Sequence, residues 1–339
     1  MEKFTLYVNA TGTSLPPAVS VWDAIDAGRY PIERAEESRQ LAATVAPLDC
    51  PAPALAVDAA RIALERAGTA PDTVGFLSYS SVLDTGFDMW NAASYVQREI
   101  QIPPGPAVVA EINSGCTGVI VSLQLAYAQL LCAPDAEAAL LVASDCFRAP
   151  EFDRWNSDTG SIYGDCGSAI VVSRRPGPLR LVELAIHTDP VIEPLIRGHE
   201  PFRTSLHLGS QPINLSQRSW DSVPDFDLEE LRERLVGGPR SVIQRVTKAA
   251  GICLDDVAHV ILPSLGHHIL EPIYFHGLGI DPERTTFDYG RGTGHTGASD
   301  PILGIDYLLA SGHLCPGDWV LAVVSGFAFL WGAALFQVC

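Results

Sequence analysis

Positive charge is what this chain has least of: 22 Lys and Arg stand against 40 Asp and Glu among 339 residues, a formal net charge of -18. No segment gathers the cluster of cations that a polyphosphate backbone needs, which excludes nucleic acid as a partner. CxxC pairs are also missing. The eight cysteines, Cys50, Cys116, Cys132, Cys146, Cys166, Cys253, Cys315 and Cys339, are scattered along the whole length, unlike a secreted disulfide scaffold. That scatter points to a reducing, cytoplasmic setting. The N-terminus has no basic stretch leading into a long apolar core, and no later run reads as the roughly 18 uncharged apolar residues of a membrane span. A leader and a membrane partner are therefore not expected. The apolar stretch from Trp319 to Val338 is interrupted by Ser325, Gly326 and Gly332 and reads as two buried strands joined by a turn. Metal-ligand spacing is absent too, because His267 and His268 have no companions in a tetrahedral pattern. With 47% hydrophobic and 18% charged residues, the chain has the composition of a compactly folded protein.

What is present is an alternation of strand and helix patterns, which predicts an α/β layered protein around a largely buried sheet. The segment from Ala54 to Ala67 puts Leu55, Ala59, Ile62 and Ala63 on one helical face. VGFLSYSSV and AVVAEI follow as buried strands, then NSGCTGVIVSLQLAYAQLL as a tight turn and a buried helix, then ALLVASDCF and SAIVVSRR as strands. The second part repeats this outline: a helix from about Leu228 to Ala250, HVILPSL as a strand, a helix through Pro272, a helix from about Pro301 to Ser311, and the strands WVLAVVS and GAALFQV. This suggests duplicated halves over residues 1–175 and 176–339. Pro176 to Ser222 is rich in turn formers, has no clear period and reads as an irregular crossover with excursions near the active site.

Cys116 follows a strand and a glycine turn and stands at the start of a long apolar helix. Helix N–H groups at that position can stabilise both a thiolate and a developing oxyanion, which is what thioester exchange requires. The same local pattern also suits a small apolar residue packed at a crowded corner.

The run EINSGCTGVIVSLQLAY from Glu111, then LLVASDCF, then YGDCGSAIVV from Tyr163 resembles, in order and spacing, the ketosynthase III branch of the thiolase superfamily. GTGHTGASDPILGIDYLL and SGFAFLWGAAL resemble that family's C-terminal loop and ending. The resemblance implies a thiolase fold, five-layered α-β-α-β-α with two duplicated halves, in a homodimer. It also implies that Cys116 is the nucleophile. Two departures stand out. Ser264 falls where the condensing enzymes carry a histidine, and His295 falls where they carry an asparagine; a slide of three residues would instead give His267 the histidine role.

The substituted pattern resembles the ketosynthase III-like acyltransferases of polyketide tailoring, which move an acyl group to an oxygen without making a carbon–carbon bond. His295 is then a general base for Cys116 and for an acceptor hydroxyl, with Asp300 orienting the imidazole. Asp300 before Pro301 also reads as a helix N-cap. Family position assigns the backbone N–H groups of Cys116 and Phe327 to the oxyanion. Ser264, His267 and His199 are candidates for substrate binding, and His207 lies in the same irregular stretch as His199. The donor implied is acyl-CoA, a co-substrate, or an acyl carrier protein. No tightly bound cofactor is expected, and the acyl group that suits a site without decarboxylation is malonyl. Arg29, Arg34, Arg39, Arg148 and Arg154 are candidates for the coenzyme A phosphates, or simply solvated surface cations. Two other readings remain open: a condensing or priming ketosynthase III, and an inactive thiolase-fold partner of a carrier protein or synthase.

Overall fold

A computed structural model describes residues 4–202, 212–327 and 329–339. β1 (Leu6–Ser14) and the short β2 (Ala18–Ser20) lead into α1 (Val21–Asp26), whose first turn is capped by Ser20 Oγ accepting from the Trp22 N–H. α2 (Ile32–Ser38) and β3 (Ala42–Thr44) follow, with β3 antiparallel to β2. The rest of the first half comprises α3 (Ala52–Ala67), β4 (Val74–Ser80), α4 (Ala92–Glu99), β5 (Val108–Glu111), α5 (Gly118–Cys132), β6 (Ala138–Asp145) and β7 (Cys166–Ser173). α3 begins with a proline in its first turn and stops at Gly68 in the left-handed region, the usual pair of start and stop devices. The second half holds β8 (Leu179–Thr188), α6 (Pro194–Arg197), α7 (Leu215–Ser222), α8 (Leu228–Ala250), β9 (Val257–Ile261), α9 (His267–Leu270), α10 (Phe287–Gly290), α11 (Asp300–Ser311), β10 (Trp319–Gly326) and β11 (Leu330–Val338).

The strands lie in the order β5-β4-β6-β7-β1-β8-β11-β10-β9. β4 runs parallel to β6, β6 antiparallel to β7, and β7 antiparallel to β1. In the second half β9 runs parallel to β10, β10 antiparallel to β11, and β11 antiparallel to β8. The two halves thus repeat one pattern and meet where Leu6–Val8 of β1 pairs with Leu179–Leu181 of β8. The counterpart of β5 shrinks to one bridge between Val260 and Thr285.

Alternation along the strands separates the layers, since successive side chains point to opposite faces. Leu140 and Val142 of β6 face α3 and α4, packing with Ala56, Ala60 and Val96. Ala139, Leu141 and Ala143 face the other way, into a core shared by Ile120 and Leu123 of α5, Ile302 and Ile305 of α11, and Val320 and Ala322 of β10. Leu321 and Val323 of β10 then face Val242 and Val246 of α8. The result is five layers, with α5 and α11 sandwiched at the centre and both sheet faces buried.

The run Gly115–Cys132 has the length and hydropathy of a membrane span after all. Here half of it is buried in the shared core, so its apolar character is spent on helix and sheet neighbours. β8 corrects the reading of 176–222 as an irregular crossover: apart from Leu179 and Ala185 its residues are not buried, and they include Arg180, Glu183 and His187, which blur the apolar alternation. The helix expected through Pro272 is α9 followed by a wide turn over Glu271–Phe275, because Pro272 cannot donate to the preceding turn.

Close helix–sheet approach depends on glycine at two places that set the site. A Cβ on Gly118 would lie 2.7 Å from Ser80 Cβ, so α5 can start against the end of β4 only with glycine there. A Cβ on Gly167 would stand 2.2 Å from the Leu55 carbonyl carbon, which is backbone and cannot yield. Gly167→Ala should therefore lower stability by about 1–3 kcal/mol or more through overpacking. A shifted midpoint in urea denaturation of the purified protein tests this, and an unchanged midpoint would contradict the α3–β7 packing.

Candidate active site

Cys116 lies in a turn over Gly115–Thr117 between β5 and α5 and is 3% exposed. Gly115 takes φ +56, and Thr117 Oγ1 donates to the Ser114 carbonyl at 2.6 Å, so the turn is locally self-satisfied. The first N–H groups of α5 open toward this turn and bring the positive end of the helix dipole to the sulfur. On its other side the turn meets the β10–β11 hairpin: a Cβ on Gly115 would be 3.4 Å from the Phe327 nitrogen. The Phe327 backbone thus borders the Cys116 turn.

His295 comes from the loop before α11, and its main chain is held at both ends. Its N–H donates to the Ile162 carbonyl at 2.9 Å, and its carbonyl accepts from the Gly164 N–H at 3.0 Å. Gly164 has no space for a side chain, since a Cβ would sit 2.0 Å from the Thr293 carbonyl oxygen. The Ile162–Gly164 ribbon is in turn anchored by Asp165, wholly buried. Asp165 Oδ1 accepts from the Phe147 N–H at 2.7 Å and Oδ2 from the Ala46 N–H at 2.8 Å, while Arg154 forks onto both oxygens at 3.0 and 2.9 Å. A buried pair is tolerable here because every carboxylate lone pair is engaged.

These constraints bring three side chains into line. Cys116 Sγ lies 3.1 Å from His295 Nε2, and His295 Nδ1 lies 2.6 Å from Asp300 Oδ2. Asp300 also accepts from the Ser264 N–H at 2.7 Å and from the Thr296 N–H and Oγ1 at 2.9 and 2.7 Å. With Nδ1–H committed to the carboxylate, Nε2 can take the thiol proton, giving a thiolate and an imidazolium. Burial opposes charge on His295, but anionic Cys116 and Asp300 outweigh it and hold the imidazole pKa well above its usual range. Burial likewise opposes charge on Asp300, and His295 with the Ser264 and Thr296 donors overcomes it, keeping the carboxyl below the usual carboxylate range. The Tyr163 ring packs against the imidazole at 5.2 Å between centroids, and its hydroxyl donates to Asp158 at 2.7 Å.

Asp300 is not the N-cap that Asp-Pro suggested. Ser299 occupies that position, and Asp300 is the first residue of α11 with its carboxylate turned back to His295 and Thr296. Ser264 contributes its backbone N–H to Asp300 and its carbonyl to Gln40, so its place is behind the base. His267 is not the partner of Cys116: its Nε2 meets Arg39 at 3.1 Å, its Nδ1 lies 3.4 Å from Glu271, and its ring packs on Phe275 and Phe287. His199 forms a surface pair with Asp225 at 2.7 Å, with both side chains about 60% exposed, outside the Cys116–His295–Asp300 cluster. His207 lies outside the described residues.

Two of the candidate phosphate-binding arginines are already engaged. Arg154 is buried on Asp165, and Arg148 donates to the Leu48 and Cys50 carbonyls. Arg29 lies over the Trp155 ring at 6.0 Å, and Arg39 is paired with His267. A cleft of about 580 Å³ runs past Arg29 and Trp155 to Phe147 and Phe152. Those two rings belong to the same apolar cluster as Tyr163, which lies against His295. Tyr163 and Asp165 were not singled out from sequence as parts of the site, though the GDCGSA run that contains Asp165 marked the ribbon; Arg154 was read as a phosphate or surface cation and instead holds Asp165.

The arrangement predicts a division of labour. Asp300→Asn keeps an acceptor near Thr296 but cannot hold the Nδ1–H tautomer as a charged partner, so acylation of Cys116 should slow by about 10²–10⁴-fold with the fold retained. Quenched-flow mass spectrometry of the acyl-enzyme measures it, and a rate unchanged within twofold would exclude Asp300 from the relay.

The chain is similar to known proteins over nearly its whole length. The family model described as 3-oxoacyl-[acyl-carrier-protein (ACP)] synthase III matches residues 110–190, and that of its C-terminal part matches residues 247–338. The beta-ketoacyl-[acyl-carrier-protein] synthase III of Rhizorhabdus wittichii is 26% identical over 285 residues, covering 84% of this chain and 83% of that protein. The Chlamydia caviae protein of the same description is 26% identical over 289 residues, 82% and 80% of the two chains. Among solved structures, ChlB3, described as an acyltransferase, is 34% identical with a TM-score of 0.90 and 98% coverage of both chains. The 3-oxoacyl-[acyl-carrier-protein] synthase III of Aquifex aeolicus shares the fold, with a TM-score of 0.78 at 18% identity over 98% of this chain and 99% of that one. Matched family models in both halves, a 34% identical relative aligned over nearly its whole length and a shared five-layered architecture lead to one assignment: this chain belongs to the ketosynthase III family of thiolase-fold enzymes, which transfer acyl groups.

Proposed function

We propose that the chain is an O-acyltransferase that works by a ping-pong mechanism. The observation that carries this reading is the continuous Cys116–His295–Asp300 contact, at 3.1 and 2.6 Å. The Cys116 thiolate attacks the thioester carbonyl of acyl-CoA, and the backbone N–H groups of Cys116 and Phe327 receive the oxyanion. The carbon–sulfur bond of the donor breaks, and coenzyme A leaves with the proton from His295. An alcohol then binds, His295 takes its hydroxyl proton, the oxygen attacks the Cys116 thioester, and the thiolate is regenerated. The cleft past Arg29 and Trp155 supports an entry route for the donor.

The acceptor class is the hydroxyl of a glycosylated polyketide-type natural product, and the group carried is malonyl. The departure at Ser264 and His295 resembles that of the malonyltransferase of cervimycin biosynthesis, CerJ. A malonyl group stays intact only in a site without a decarboxylation pair, and an imidazole committed to Asp300 suits proton transfer. ChlB3, with its acyltransferase description, supports the same class. The eight cysteines, each a free thiol, suit work in the cytoplasm.

The second reading, a condensing ketosynthase III, rests on the names of the curated relatives. Incubation with malonyl-CoA separates the two. With an acyl-CoA primer also present, transfer predicts a malonyl adduct on Cys116, absent from Cys116→Ala, and no carbon dioxide; release of carbon dioxide with a ketoester product would overturn the transfer reading. A homodimer belongs to the same reading, and β5, which ends the sheet with Val108 41% exposed, supports it as the pairing edge. Light scattering should give twice the 36.3 kDa chain mass, and Val108→Asp should yield the monomer; a monomeric parent protein would refute the dimer.

A further inference from the structure

A second buried carboxyl lies beside the cluster. Asp145 is the last residue of β6 and is 1% exposed. Its Oδ1 accepts from two consecutive N–H groups, Val82 at 2.8 Å and Leu83 at 3.0 Å, just beyond the end of β4. Its Oδ2 is buried with no hydrogen-bond partner among the described residues. That oxygen faces the loop carrying the base, because a Cβ on Gly297 would stand 2.6 Å from it. Gly297, at φ +65, lies between His295 and Asp300, so Asp145 is wedged between the Val82–Leu83 strap and the base loop.

The strap is part of the wall around the thiol. Val82 and Leu83 pack against the cluster of Phe147, Phe152 and Tyr163, as does Phe327. Tyr163 lies against His295, and the Phe327 backbone borders the Cys116 turn. Resting on the acyl-transfer reading, we propose that Asp145 is a positioning residue for acyl transfer. It draws the strap against the base loop and favours the charged form of His295, so closure of the wall over Cys116 follows the charge inside it.

The ionisable neighbours fit this role. Tyr79 of β4, Asp165, Cys166 of β7 and His295 surround Asp145, and of these only His295 can be cationic. Burial pushes the Asp145 carboxyl up to about 7, against the pull of the Leu83 and Val82 N–H groups and of His295. The ionised form holds the strap more strongly and attracts the imidazolium, and the neutral form weakens both contacts. Above about pH 7 the Asp145 anion thus keeps His295 protonated, and the thiolate paired, to a higher pH.

Alkylation of Cys116 by iodoacetate, followed against pH, reads the thiolate–imidazolium pair without any acyl donor, because the anionic reagent is drawn in by the imidazolium and slows when that proton is lost. Asp145→Asn preserves size and the Oδ1 acceptor but removes the anion. Its alkaline limb should fall by about one pH unit, a roughly tenfold loss of reactivity at a pH above the limb. A packing role alone would lower the melting temperature and leave the limb in place, and superimposable profiles would overturn the proposal. Hydrogen exchange on the parent protein gives a readout that needs no variant: the protection factors of the Val82 and Leu83 amides should rise as pH passes 7, and values flat across that range would also overturn it. If the parent protein alkylates with these features but takes no acyl group from acyl-CoA, the function fails and the role of Asp145 in holding the pair stands.

Discussion

His295 donates its N–H to the Ile162 carbonyl and accepts the Gly164 N–H, and through this short parallel pairing the C-terminal half is held against the nucleophile of the N-terminal half. The contact would be weak if the ribbon could move, because two backbone hydrogen bonds contribute only about 1 kcal/mol each. Rigidity comes from beneath. Arg154 and Asp165 clamp the ribbon to Thr44, Ala46 and Phe147, and the absent side chain of Gly164 lets the Thr293 carbonyl lie against it. A side chain at position 164, or a neutral residue at 165, would move the imidazole before it touched the sulfur.

Charge is distributed so that burial does not silence the site. Taking a carboxylate and an imidazolium out of water costs several kcal/mol for each ion, which isolated partners would not survive. Asp300 meets that cost with four contacts on two oxygens, and His295 lies between two anions. The sign of the pH dependence follows. Because the folded pKa of His295 is raised, its contribution to stability is complete below the ordinary histidine range and fades as pH rises through the elevated value. Asp300, with a depressed pKa, contributes above the ordinary carboxylate range and loses that contribution as pH falls through its lowered value. The cluster is most stable between those limits, where it is also ready to react.

Much of this could be read from residues. The apolar runs of β4, β6, β7, β10 and β11 and the capped helices α3 and α8 have periods long and clean enough to show their type. β1 and β8, the pair that joins the halves, were illegible: both mix half-buried and polar residues, and each register is broken by a shift. Cys116, His295 and Asp300 were legible through a resemblance in order and spacing. Their convergence was implied by that resemblance alone; periodicity and composition carry no sign of it, since residues 179 apart in sequence meet only through the topology. Arginine roles were the least legible. Whether Arg154 faces solvent or a carboxylate depends on Asp165, whose position along the chain says nothing about a bidentate partner.

The duplication explains why chemistry could change here without disturbing the fold. α5 and α11 are equivalent helices in the central layer, and each begins at the same end of its half. One N-terminus presents Cys116, and the other presents Asp300 with His295 just before it. Both helix dipoles therefore bring positive potential to one spot, where it stabilises a thiolate on one side and a carboxylate on the other. The residues that set the reaction lie in the loop before α11, while the contacts that hold α11 in the core, Ile302, Ile305 and the close approach of Gly304 to Ile261, come after it. A different side chain at position 295 would change what the Cys116 sulfur meets and leave the packed helix where it is. In this scaffold the packed helix is the fixed element, and the side chains that face the thiol come from the few residues between Thr293 and Asp300.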